Sequence, residues 1–182
     1  MSNITAEPVT TARTDTGRSI VTSPAARRVL AVLRLMFGFT FLWAFLDKTF
    51  GLGFATPAAK AWINGGSPTK GYLSSSEGPF AGFYHAIAGN GLVNVLFMLG
   101  LLAIGVALIL GIGLRIAAVA GSVMYLMMWS VVLPLTTNPI VDDHLTGAVT
   151  LILFAVTGAG ATWGLGRWWA GLPAVARNPW LR

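Results

Sequence analysis

Residues 28–50 read RVLAVLRLMFGFTFLWAFLDKTF, and every residue between Arg34 and Asp47 is apolar, Gly or Thr. Together with the apolar residues before Arg34, this segment reaches the roughly 20 residues that a helix needs to cross a bilayer. Its two ends differ, because Arg28 and Arg34 lie toward the first end and the adjacent Asp47 and Lys48 close the second. We therefore expect a membrane-spanning helix, with the rest of the chain packed around it.

The composition of the chain is that of a membrane protein. It is 55% hydrophobic and 10% charged, with a mean hydropathy of +0.72, whereas soluble domains carry about 25% charged residues. A chain with so little charge cannot cover a globule with polar surface, so we expect lipid to surround one polytopic domain. The absence of cysteine excludes disulfides, thiolate metal sites and Cys-ligated iron–sulfur clusters.

Four apolar segments divide the chain into predicted membrane spans. They lie at residues 28–50, 92–110, 116–133 and 145–163. Between the first two spans, residues 51–88 combine aromatic side chains with short helical stretches, which predicts a layer lying in the membrane interface. The predicted fold is an all-α membrane protein, a four-transmembrane-helix bundle with an interfacial helical segment between helices 1 and 2.

The predicted domain boundaries follow from the polar stretches that flank this bundle. Ser23 and Pro24 predict the start of the first helix, because Ser is a common N-cap and Pro suits the first turn. We therefore expect a disordered cytoplasmic tail at residues 1–22, a transmembrane domain at 23–165 and an interfacial C-terminal tail at 166–182.

Arginine and lysine are separated along the predicted topology. Every Arg falls on the side of the two termini, and every Lys falls on the other side. The positive-inside rule then predicts a multi-pass protein of the plasma membrane with both termini in the cytoplasm. The net charge of +6 is thus a topology signal, and we expect no nucleic-acid partner. We interpret Arg34, which lies inside the first span, as a snorkelling anchor, with a buried functional Arg as the alternative.

The ionisable residues outside the basic side gather at the outer ends of the predicted helices. The candidate catalytic residues are Asp47, Lys48, His85, Asp142, Asp143 and His144. Helix packing would bring the acid-base pair that ends helix 1 to the same depth as the acidic start of helix 4, with the interfacial segment as a roof. A His beside carboxylates exchanges protons near neutral pH, as quinone reduction requires.

Other interpretations of these residues stay open. Lys48, with Lys60 and Lys70, would suit a small oxyanion. The two His are too far apart in sequence, and lack the ligand spacing, to predict a metal site. As a purely structural alternative, Asp142 and Asp143 would cap helix 4, and Asp47 and Lys48 would form an interfacial ion pair. Haem is not expected, because no span has a His in its apolar middle. Glycine-rich nucleotide loops are also absent.

Several stretches resemble the DoxX/DoxD family of membrane proteins. VLRLMFGFTFLWAFLDKTFGLGF is similar to the first helix of that family, and INGGSPTKGYLSSSEGPFAGFYHAIAGN resembles the DoxD outer segment. NVLFMLGLLAIGVALILGIGLRIAA, MYLMMWSVVLP, NPIVDDHL and GLGRWW are similar to its later helices. The likeness covers residues 28–169, and it lies in the order of the segments rather than in one specific motif.

The resemblance implies a four-helix membrane bundle. The DoxD branch is the membrane subunit of thiosulfate:quinone oxidoreductase, which couples oxidation of thiosulfate to tetrathionate with reduction of quinone. Lys48 matches the Lys that ends the family's first helix, and Asp142, Asp143 and His144 match the polar start of its last helix. The cofactor that the resemblance implies is a quinone, menaquinone or ubiquinone. The second subunit of that enzyme has no counterpart in this sequence.

Two functional hypotheses follow. The first is a membrane subunit of a quinone-linked oxidoreductase, DoxD-like, with thiosulfate as its reductant. Quinone would enter from lipid between helices 1 and 4, with Trp43 and Trp129 as ring contacts. The alternative is a non-catalytic accessory subunit of a respiratory membrane complex. The expected partners are membrane lipids, quinone, and other membrane subunits or further copies of this chain.

Overall fold

The computed structural model describes residues 20–182, which contain helices and no strand. Nearly all of the tail predicted at residues 1–22 lies outside the described residues. The α-helices are α1 (Pro24–Phe50), α2 (Lys70–Ser74), α3 (Ala81–Ile87), α4 (Gly91–Leu110), α5 (Leu114–Val131), α6 (Asp143–Thr157), α7 (Gly166–Gly171) and α8 (Pro173–Arg177). Short 3-10 turns lie at Ala58–Lys60, Trp62–Asn64, Ala159–Ala161 and Pro179–Leu181.

Three of these helices are long and apolar enough to cross a membrane, namely α1, α4 and α5. Helix α6 is apolar but has only 15 residues. It ends at Thr157, short of residue 163 where the fourth span was predicted to end. Gly158 adopts the left-handed conformation there, with φ 62°, and the chain continues in a 3-10 turn.

Three of the helices begin where a local side chain satisfies free backbone N–H groups. The Ser23 hydroxyl accepts the Ala26 N–H at 3.4 Å, so α1 starts at Pro24 as the sequence predicts. Asn90 and Asp142 cap α4 and α6 in the same way. These caps replace the hydrogen bonds that the first turn of a helix cannot make internally.

The long helices pack as antiparallel neighbours. Helix α1 packs along α4, and α5 packs along α6. A Cβ atom on Gly105 would come within 2.8 Å of the Leu42 nitrogen, and one on Gly38 within 2.9 Å of the Ile109 nitrogen. Glycine at both positions therefore permits α1 and α4 to approach closely. The ring of Phe37 on α1 packs edge-to-face against that of Phe154 on α6, with the ring centroids 5.6 Å apart.

The bundle has two chemically different ends. The arginine end comprises the starts of α1 and α5 and the ends of α4 and α6. At the roof end, residues 51–88 connect the end of α1 to the start of α4 through short helices. The outer faces of the long helices carry exposed apolar side chains such as Met36, Val119 and Val149, each more than half exposed. Such faces suit lipid rather than water.

The interpretation of Arg34 as a snorkelling anchor is wrong, because its side chain is fully buried. Its guanidinium donates to the carbonyls of Leu108 and Ile109, at the end of α4, and to those of Thr162 and Trp163, beyond α6. Carbonyls at a helix C-terminus lack partners inside the helix and carry partial negative charge. Arg34 thus joins α1, α4 and the segment after α6 at the arginine end.

Candidate functional site

A cavity of about 580 Å³ lies between α4 and α5 at the roof end. Its walls are apolar side chains of these two helices, including Phe97, Ile104 and Met124. Helices α4 and α5 contact one another less than either contacts its other partner. A tight turn joins them at Gly111 and Gly113, at the arginine end. The cavity therefore occupies the space that the hairpin leaves at its other end.

The roof over this cavity is fixed by a single buried amide. The Asn94 Oδ1 atom in the first turn of α4 accepts hydrogen bonds from the Ser67 hydroxyl at 3.0 Å and the Thr69 hydroxyl at 2.6 Å. The Thr69 backbone N–H also donates to it at 3.3 Å. Asn94 is the polar side chain of the second predicted span. Its role is to hold the start of α2 against α4.

Two tyrosines of the roof bind the far end of α5. The Tyr72 hydroxyl of α2 donates to the Met128 carbonyl at 3.0 Å, and the Tyr84 hydroxyl of α3 donates to the Met127 carbonyl at 3.3 Å. Tyr84 also bonds the Ser130 hydroxyl. Both tyrosine rings line the cavity. The roof thus bridges α4 and α5 and closes the cavity from above.

Lys48 is the only charged side chain among the described residues that line the cavity. It lies in the last turn of α1 and is half-buried. The same side chain lines a second, smaller cavity of about 320 Å³ on the outer face of α1. Among the described residues no salt bridge joins Lys48 to Asp47, so the predicted ion pair is not present. The ammonium group is available to a bound molecule.

Asp47 serves the turn after α1. Its carboxylate is buried and accepts the backbone N–H of Phe54 at 3.2 Å and that of Ala55 at 3.0 Å. These bonds fold residues 51–55 back against the end of the helix. Asp47 therefore positions its neighbour Lys48 and the first residues of the roof segment.

Asp142, Asp143 and His144 lie together at the start of α6. The His144 Nδ1 atom is 2.6 Å from an Asp142 carboxylate oxygen and 3.5 Å from one of Asp143. Asp142 also caps α6 by accepting the Leu145 N–H at 3.0 Å, which is the helix-capping role that the sequence allowed. Burial alone would raise the pKa of Asp142, but the hydrogen bonds from His144 and Leu145 outweigh it and hold the pKa below its usual value.

The three side chains of this cluster bring their potential metal-ligand atoms within 4.8 Å of one another. His85 does not join them. It lies on α3, exposed, with its Nε2 atom 3.0 Å from the Ser76 carbonyl oxygen. The two histidines are therefore used separately. The short bond between His144 and Asp142 is the hydrogen bond that fixes the imidazole ring.

Tyr72 is a lining residue of the cavity whose pKa is affected by the acidic cluster. Its ring lines the cavity together with Lys48. Burial, followed by the negative charges of Asp142 and Asp143, raises the pKa of Tyr72 to about 12. The cluster itself does not line the cavity. The acid-base pair of α1 and the acidic start of α6 thus lie at the same end of the bundle, and the ring in contact with His144 is that of Tyr125, 6.1 Å away between centroids.

The two predicted ring contacts lie elsewhere. Trp43 lines the smaller cavity, where its ring lies 5.7 Å from that of Phe39 and 5.1 Å from that of Phe54. Trp129 donates its indole N–H to the Ile140 carbonyl at 3.0 Å, which ties α5 to the loop before α6. Neither tryptophan lines the roofed cavity.

Sequence reasoning did not assign Tyr72, Tyr84 or Asn94 to the site. The tyrosines were recognised only as members of an aromatic interfacial layer, and Asn94 only as a polar residue in an apolar span. The signal that could have found them is a hydrogen-bonding group on an otherwise apolar surface, since such a group needs a partner when it is buried.

The sequence matches no protein-family model, no curated protein and no solved structure.

Proposed function

We propose that the chain is a quinone-binding membrane subunit of an oxidoreductase, of the DoxX/DoxD kind that its sequence resembles. The observation that supports this most is the roofed cavity, with its apolar walls and with Lys48 as the single charged side chain among those of residues 20–182 that line it. Sites for small molecules are commonly apolar clefts of about 300–1,000 Å³ with a few polar groups that fix orientation. A quinone matches such a site, because it combines an apolar ring and tail with two hydrogen-bond-accepting oxygens.

The residues of the site would divide the work of binding. The apolar side chains of α4 and α5 hold the ring and the tail. The Lys48 ammonium donates a hydrogen bond to one ring oxygen and stabilises negative charge that develops there. The roof excludes water, which strengthens that electrostatic interaction. Tyr72 keeps its proton at physiological pH, since its pKa is raised to about 12, and so keeps the hydrogen bond that its hydroxyl donates to the Met128 carbonyl.

Reduction of a quinone to a quinol takes up two electrons and two protons. His144 is hydrogen-bonded to Asp142, and an imidazole oriented by a carboxylate is a common proton carrier in enzymes. His144 lies at the start of α6, with its ring 6.1 Å from that of Tyr125 on α5. In this proposal His144 exchanges protons with the outer solution, and Asp142 and Asp143 orient it. Oxidation of two thiosulfate ions to one tetrathionate would supply the two electrons.

In this proposal α6 and the 3-10 turn after it form the fourth membrane span, and the roof lies in the outer interface. Arg27, Arg115 and Arg177 belong to the arginine end, whereas Lys48 and Lys60 belong to the roof end. This separation supports cytoplasmic termini by the positive-inside rule.

Replacing Lys48 by Met is expected to weaken quinone binding by roughly 10-fold to 100-fold, because a hydrogen bond to a charged group contributes about 1.5–3 kcal/mol. Met keeps an apolar stem of similar length and removes only the charge. Binding would be measured with a water-soluble menaquinone or ubiquinone analogue and protein in nanodiscs, by quenching of tryptophan fluorescence.

The matched control is Lys60→Met. Lys60 is an exposed lysine of the roof that lines neither of the two cavities that Lys48 lines. The quinone affinity of this variant should equal that of the unmodified protein. Equal affinity in the Lys48→Met variant would remove Lys48 from the site.

Replacing His144 by Ala is expected to abolish proton-coupled quinone reduction while quinone affinity stays within about threefold, since His144 does not line the cavity. Turnover with thiosulfate and a quinone analogue would be measured on protein that inserts into membranes and purifies normally. His85→Ala serves as the control, because His85 hydrogen-bonds only a backbone carbonyl. Unchanged turnover in the His144→Ala variant would end its assignment as the proton carrier.

The need for a partner subunit is testable on the same preparation. Purification in mild detergent that recovers a stoichiometric respiratory partner, with turnover only in its presence, would favour the accessory subunit. Turnover by the isolated chain would favour the enzyme.

A further inference from the structure

A third cavity, with a volume of about 250 Å³, lies at the arginine end of the bundle. Three arginines line it: Arg115 at the start of α5, Arg167 in α7, and Arg182 after the last 3-10 turn. No acidic residue is among its described lining residues. We propose that this cavity binds a phosphate group, and that the phosphate belongs to the headgroup of an anionic phospholipid.

Backbone and side-chain hydrogen bonds join the residues around Arg182 to Arg115 of α5 and to Trp169 of α7, the helix that carries Arg167. The Arg115 N–H donates to the Arg182 carbonyl at 2.7 Å, and its guanidinium Nη1 atom donates to the Pro179 carbonyl at 2.9 Å. The Trp169 indole N–H donates to the Leu181 carbonyl at 2.6 Å. These bonds fix residues 179–182 against α5 and α7, so the fold itself brings Arg115, Arg167 and Arg182 to the lining of one cavity.

The arginines retain unused hydrogen-bond donors. The Nε atom of Arg182 is buried and has no hydrogen-bond partner in the described part of the chain. Within residues 20–182, the Arg167 side chain makes no hydrogen bond or ion pair, and Arg115 uses one guanidinium nitrogen. Guanidinium groups present planar sets of donors that match phosphate oxygens. An anion bound among them would satisfy the buried donor and relieve the repulsion between three like charges.

The surroundings of the cavity favour a lipid over a soluble phosphate. Ala155 and Val156 of α6 also line the cavity. From there, exposed apolar side chains continue along α6 toward the roof end, including Val149 and Ile152. Trp163, Trp168 and Trp180 are each about 60% exposed at this end, as in the aromatic belts of membrane interfaces. An acyl chain can follow the face of α6 while its headgroup phosphate stays among the arginines.

This site is separate from the proposed quinone site. The acidic residues of the described chain, Asp47, Glu77, Asp142 and Asp143, lie at the roof end. In the described part of the chain, no residue lines both the roofed cavity and the arginine-lined cavity. A failure of either proposal therefore leaves the other untouched.

The test compares thermal unfolding in nanodiscs of pure phosphatidylcholine with unfolding in nanodiscs that contain phosphatidylglycerol or cardiolipin. Anionic lipid should raise the unfolding temperature of the unmodified protein, and titration in mixed micelles should give its affinity. The double variant Arg167→Gln with Arg182→Gln should bind anionic lipid roughly 30-fold more weakly. Loss of each arginine near a membrane surface is expected to lower the lipid affinity by about tenfold or less. Arg177→Gln is the matched control, since Arg177 is exposed at the same end but does not line the cavity.

The outcomes separate the alternatives. Loss of the anionic-lipid shift in the double variant, with a normal shift in the Arg177→Gln control and normal near-UV circular dichroism in both, supports the proposal. Equal loss in the control would overturn it in favour of diffuse surface attraction. Equal unfolding temperatures in the two lipids would also overturn it. Stabilisation by inorganic phosphate in phosphatidylcholine, at millimolar concentration and equal to that by phosphatidylglycerol, would overturn the assignment to a lipid.

Discussion

Replacing Arg34 by Met is expected to lower the free energy of unfolding by about 3–5 kcal/mol, one of the largest effects of any single substitution in this chain. The guanidinium donates to four carbonyls, at the end of α4 and beyond α6. Its removal leaves those buried acceptors without partners. The measurement is unfolding of the purified protein in detergent, followed by circular dichroism.

Two variants control this prediction. Arg28→Met removes a charge from an exposed position on the same helix and should change the free energy of unfolding by less than about 0.5 kcal/mol. Arg34→Lys keeps the charge with fewer donors and should fall between the two. Unchanged stability in the Arg34→Met variant would show that the carbonyls find other partners.

Replacing Ala120 by Trp is expected to reduce quinone affinity by roughly 100-fold without unfolding the protein. Ala120 lies on α5, where it lines the roofed cavity and is also exposed on the outer face of the helix. An indole at this position would fill the space that the ring needs. The same fluorescence titration in nanodiscs measures the effect.

Val119→Trp is the matched control, because Val119 is the preceding residue, is 68% exposed and does not line the cavity. A Trp there would face lipid and leave quinone affinity unchanged. If both variants bound quinone as well as the unmodified protein does, the ligand would not occupy this cavity.

The helices themselves were accessible from the sequence, because their signals are local. Ser23 and Pro24 predict the start of α1, and the apolar lengths of α1, α4 and α5 suit a membrane. The end of α6 was predicted too late, since a Gly in an apolar helix and a Gly that ends one look alike until the backbone at Gly158 is known.

The role of Arg34 was not accessible from the sequence. A cation within an apolar span snorkels by default. What buries this one is the meeting of the α4 terminus with the segment after α6, far along the chain at Leu108 and Trp163. Such pairings depend on tertiary packing and leave no periodic pattern in the chain.

The candidate site was accessible in part. The sequence predicted that Asp47, Lys48 and the acidic start of α6 would share a pocket. They lie at the same end of the bundle, but the acidic start of α6 lines neither of the two cavities that Lys48 lines. The cavity was not accessible, because it is a space between α4 and α5 rather than a residue pattern. Its tyrosines form hydrogen bonds to backbone carbonyls of α5, such as that from Tyr72 to Met128. A bond to a backbone carbonyl leaves no recognisable motif in the sequence.

The most direct test of the account is an experimental structure of the protein in nanodiscs with a bound menaquinone or ubiquinone analogue. If quinone binds in the roofed cavity, we expect density for its ring there. One ring oxygen should lie within hydrogen-bonding distance of the Lys48 ammonium, and the tail should lie between α4 and α5. Density for the ring between α1 and α6 beside Trp43, or a roofed cavity filled by acyl chains alone at saturating analogue, would contradict the account.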